Sequence, residues 1–102
     1  MALFENLTCY KPVAASQTDQ VLGNANGAKG DIISRIIIIP ATTSPGAVSI
    51  KDGSGSAITI FTGGTVVDIA SFHIEVGAVA TTGPWKVTTG ANVSAIAIGK
   101  FT

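Results

Sequence analysis

Short apolar runs along this chain are separated by clusters of Gly, Pro, Asp, Asn, Ser and Thr, and within the runs apolar and polar residues tend to alternate. The densest run is DIISRIIIIP at residues 31–40, where six isoleucines fall between residues 32 and 39. Branching at Cβ restricts χ1 and fits a pleated strand far better than a helix. Asp31 and Pro40 bound the run, and Pro40 has no N–H to give to a ladder. The pattern predicts a central strand. Strict alternation places Ile32, Ser34, Ile36 and Ile38 on one face and Ile33, Arg35, Ile37 and Ile39 on the other. Both faces are mostly apolar, so both require cover. One face suits the domain's own core, the other a neighbouring loop, arm or subunit.

Downstream, residues 47–51 and 56–62 flank Asp52-Gly53 and read as a β-hairpin, with Val48 and Ile50 on one side of the first strand. Residues 66–76 give an amphipathic strand in which Phe72, Ile74 and Val76 face one way and His73 and Glu75 the other, with a bend expected at residues 68–71. Residues 77–83 read as a loop closed by Gly83-Pro84, residues 85–88 as a short strand, and residues 89–92 as a turn. The last strand, residues 93–101, sets Val93, Ala95, Ala97, Gly99 and Phe101 against Ser94, Ile96, Ile98 and Lys100. Its first face is small enough for close approach by a sheet or a subunit.

Upstream, Val21 and Leu22 suggest a short edge strand, and NANGAKG at residues 24–30 a flexible loop. Residues 3–13 read equally well as an arm ordered by a partner or as a first strand. Strands recurring about every ten residues argue an all-β fold, a β-sandwich or jelly-roll-like barrel of about seven to eight antiparallel strands. Residues 1–30 then form an N-terminal arm or edge strand with a flexible loop, and residues 31–102 the β-sandwich domain.

Composition sharpens this picture. A chain of 102 residues with zero formal net charge has room for one modest core. Charged residues make up 12%, about half the usual share. A surface so poor in charge suits a protein packed against something else. Cys9 is the single cysteine, which excludes an intrachain disulfide. The first residues lack the pattern of a signal peptide, and no apolar run approaches the ~18 residues of a membrane helix. Synthesis in a cytoplasm and no membrane partner are expected.

Candidate chemistry is sparse. The six acids show no spacing that pairs them for acid–base work. His73 and Glu75 share a face, but with Cys9 as the one thiol they fall short of a zinc ligand set. GNANGAKGD at residues 23–31 lacks the Gly-Lys-Ser/Thr ending of a phosphate loop. Six Lys and Arg are spread along the chain and balanced by six acids, a poor footprint for nucleic acid. No enzyme activity, metal or cofactor is therefore expected. Arg35 needs a partner among the isoleucines, either Asp31, Asp68 or Glu75, or a group on a second subunit. Trp85 is either a core residue or a flat anchor for a sugar or protein. The candidate interface comprises Leu3, Phe4, Tyr10, Arg35, Ile37, Ile39, His73, Glu75 and Trp85.

The stretches GDIISRIIIIPATTSPGAVSIKDGSGSAITIFTGG at residues 30–64, FHIEVGA at 72–78 and GPWKVTTGANVSAIAIGKF at 83–101 resemble a family of small proteins from tailed-bacteriophage genomes, associated with virion structural genes. The resemblance carries no catalytic motif. It implies a virion component on the capsid surface, similar to decoration or cement proteins, which are often small β domains standing as trimers on the major capsid protein. A host-attachment or glycan-binding β module, using Trp85 and the adjoining loops, is the alternative.

Overall fold

The structure is a computed structural model that describes residues 9–23, 28–65 and 69–102. Its strands are β1 (Cys9–Val13), β2 (Gln20–Val21), β3 (Ile32–Pro40), β4 (Val48–Asp52), β5 (Ile58–Phe61), β6 (Phe72–Val79), β7 (Trp85–Thr89) and β8 (Val93–Lys100). They form two four-stranded sheets, ordered β1-β8-β3-β6 and β2-β7-β4-β5. Every pairing is antiparallel. The first strand pairs with the last, the second with the seventh, the third with the sixth and the fourth with the fifth. The chain is thus one long hairpin, rolled so that β3 also meets β8 and β4 also meets β7. That is the jelly-roll form of the β-sandwich.

β3 holds the centre because β8 and β6 flank it on either side. Its alternation breaks once. From Ile33 to Arg35, β3 advances two residues while β8 advances one, from Gly99 to Ile98. Over the same step β6 advances three, from Ala78 to Glu75. Ser34 is therefore an extra residue against β8, and β6 carries its own extra residue beside Gly77, whose φ is 61°. Such bulges move the side-chain phase along a strand. Ile33, Ile36, Ile38 and Pro40 point inward, while Ile32, Arg35, Ile37 and Ile39 share the outer side. The strict alternation expected from sequence holds only beyond the bulge.

The core lies between the sheets and includes Val13, Leu22, Ile33, Ile36, Ile38, Val48, Ile50, Trp85, Val87 and Val93. Burial of each large aliphatic side chain stabilises the fold by ~1.5–3 kcal/mol before entropy. β8 supplies Ala95, Ala97 and Gly99 to this space, so its small face meets the chain's own core and not a subunit. A Cβ on Gly99 would run into the carbonyl oxygen of Ile32.

One expectation changes here and two open alternatives close. Residues 77–79 belong to β6 and are not loop. Cys9–Val13, open between arm and strand in the sequence, is the edge strand beside β8. Trp85 is core, 4% exposed, with its indole Nε1 donating to the Asp31 carbonyl oxygen at 3.1 Å.

Candidate assembly surface

The outer face of the β1-β8-β3-β6 sheet follows from register. One row across it reads Tyr10, Ile98, Arg35, Glu75. The next reads Pro12, Ile96, Ile37, His73. Ser94 and Ile39 are paired beyond it, and Lys100, Ile32 and Val79 lie in line at the opposite end. Five isoleucines, Ile32, Ile37, Ile39, Ile96 and Ile98, are half-buried along these rows. Tyr10 is 72% and Val79 55% exposed. The rows are therefore largely apolar across β1, β8 and β3 and become polar at β6.

At that polar margin, His73 Nε2 stands 3.5 Å from Glu75 Oε1, and both side chains are more than half exposed. Arg35 lies directly across from Glu75 in the ladder. A shallow hollow of about 230 Å³ opens beside them, lined by Arg35, Ile37, Ser71, Phe72 and His73. Phe72 also meets Phe61 edge-on at 5.5 Å between ring centroids, which ties the margins of the two sheets together.

Of the residues expected at an interface, this face gathers Tyr10, Arg35, Ile37, Ile39, His73 and Glu75. Leu3 and Phe4 lie outside the described residues, as does Asp68. Trp85 does not join them, because its ring is needed inside the sandwich. Ile96, Ile98, Ile32 and Val79 belong to the face and were not singled out from sequence. The alternation of β8 already put Ile96 and Ile98 on one side; what the sequence lacked was the strand order that sets them beside β3.

The remaining polar groups hold the fold. Asp31, 2% exposed, accepts from the main-chain N–H groups of Ala28 and Thr102 and from the Thr102 hydroxyl. It is thus committed away from Arg35. Asp52 accepts from the N–H groups of Thr81 and Thr82 and from the Thr81 hydroxyl, pinning the β6–β7 turn to the end of β4. The Thr81 N–H, followed by the other threonine donors, holds the Asp52 carboxyl below its ordinary value against an opposing desolvation effect. The Cys9 thiol donates to the Gly99 carbonyl at 2.8 Å. Among the described residues no three His, Cys, Asp or Glu side chains gather as a metal-ligand set.

No protein-family model matches this chain, and neither a curated protein nor a solved structure matches it.

Proposed function

We propose that this chain is an adhesive structural module, a capsid decoration protein that binds a major capsid shell and stabilises it. The observation that carries the reading is the apolar outer face of the β1-β8-β3-β6 sheet, with isoleucines from both β3 and β8. Covering apolar surface is worth ~25 cal/mol per Å² before ordering costs. Repetition around a symmetric oligomer, the trimer that the resemblance implies, multiplies a modest contact through effective concentration. The jelly roll serves both capsid and lectin domains, so the fold is compatible with this reading without selecting it. The glycan-binding alternative loses its flat anchor with Trp85 buried.

The test is copy number in purified particles together with shell stability to heat. Hundreds of copies, and shells that lose protection when Ile37→Lys and Ile96→Lys replace the wild type, are the expected results. Both side chains lie outside the core, so the variants keep the wild-type circular dichroism. A protein absent from particles, or variants that protect shells as well as the wild type, overturns the reading.

A further inference from the structure

The two sheets end in four margin strands, and they are not equally guarded. β1 carries Pro12, which cannot donate to a further ladder. β2 has two residues and β5 has four. β6 has eight, FHIEVGAV, with neither Pro nor Lys, and among the described residues it is paired only with β3. Proteins ordinarily blunt a long sheet edge with one of those devices. β6 carries a bulge at Gly77, which bends the strand and leaves residues 72–76 as its regular part, with the exposed Glu75 as the charged residue on that part.

We propose that residues 72–76 pair antiparallel with the same segment of a second copy, about a two-fold axis through Ile74, giving one continuous eight-stranded sheet. The inference rests on the adhesive reading and adds a specific contact to it. Charge selects the occupant and the register. Centring on Ile74 sets His73 opposite Glu75 of the second copy on the outer side, and Glu75 opposite the copy's His73. Each Glu75 then lies between its own Arg35 and a histidine from the other chain. A shift of one residue in the axis, to Glu75, sets two carboxylates opposite each other, which is unfavourable, and a shift to His73 sets the two imidazoles together and gives up both histidine–glutamate contacts. On the inner side the same register brings Phe72 to the copy's Val76 and Ile74 to Ile74, extending the apolar layer without a polar insertion. An interface of this type is self-complementary and closes at two copies.

The experiment is sedimentation equilibrium on the full chain and on two variants, Glu75→Lys and His73→Glu, alone and mixed. Both positions are exposed, so each variant keeps the wild-type circular dichroism. The wild type is expected as a dimer or an even-numbered assembly. Each variant alone removes the His73–Glu75 contacts across the axis, Glu75→Lys by setting lysine opposite histidine and His73→Glu by setting carboxylate opposite carboxylate, and loses that association by tenfold or more. An equimolar mixture restores it, because His73 and the introduced lysine of one variant face two glutamates of the other. Variants that retain the wild-type mass, or a mixture that does not reassociate, overturn the contact. A trimer untouched by either variant overturns the β6 contact and leaves the adhesive reading standing. A wild-type monomer that is abundant in particles does the same. A wild-type monomer absent from particles overturns both.

Discussion

The Trp85 indole donates to the main-chain carbonyl of Asp31, a hydrogen bond that joins the start of β7 to the start of β3 across the sandwich at 3.1 Å. The same carbonyl accepts from the Ala80 N–H. Trp85→Phe removes one of its two donors and some ring volume, at an expected cost of about 1–2 kcal/mol. Trp85→Ala also opens a cavity, at about 3–5 kcal/mol. Urea unfolding measures both. As the single tryptophan, Trp85 reports the transition itself, and its emission should shift to the red as the core opens.

The Asp31 carboxylate binds the last residue of the chain. Asp31→Ala strands the N–H groups of Ala28 and Thr102 and the Thr102 hydroxyl. A loss of at least ~2 kcal/mol is expected. Thr102→Ala keeps its N–H bond and should cost about 1 kcal/mol. The two effects should fall short of additivity in a double-mutant cycle, since one carboxylate serves both contacts.

Asp52 makes stability depend on acid. Its carboxyl pKa in the folded state is lowered from the ordinary 3.8. A depressed folded value means that the ionised form is favoured by folding. The contribution is present above 3.8 and is lost as pH falls through the lower folded value. Asp52→Asn should therefore be less stable than the wild type near neutrality, and the gap should close in strong acid. A chemical-denaturation series from pH 7 to 2 reads it, and a gap that persists unchanged to the acid end contradicts the assignment.

Two glycines should respond differently to alanine. Gly99 faces the Ile32 carbonyl too closely for a Cβ, so Gly99→Ala must move β8 from β3, at about 2–3 kcal/mol or more. Gly77 has open space around its missing Cβ and a φ of 61°. Gly77→Ala meets only the left-handed backbone cost, about 1–2 kcal/mol. Thermal unfolding of the pair separates crowding from conformation.

How far the sequence could be read follows from which residues carry a phase. β8 and β6 alternate between unlike residues, so their faces were legible without a structure. β3 is apolar on both sides, and a run of isoleucines hides an inserted residue; the bulge at Ser34 left no mark in the pattern. Gly77 read as punctuation because glycine more often ends a strand than bends one. The burial of Trp85 depends on a carbonyl 54 residues away, beyond any local signal. Tyr10, Ile37 and His73 could be nominated singly from the sequence. Their joining into one surface needed β8 between β1 and β3, which only the rolled topology supplies.

The position of β3 between β8 and β6 has a consequence for biogenesis. Both of its partners lie later in the chain, β6 some thirty residues on and β8 after that. The isoleucine segment therefore precedes both strands that flank it, and its pairing is complete only when β8 has followed β6. Non-local pairing of this kind is slow, and exposed β-prone segments invite association between nascent chains. Holding that segment apart until β8 arrives is a task for chaperones.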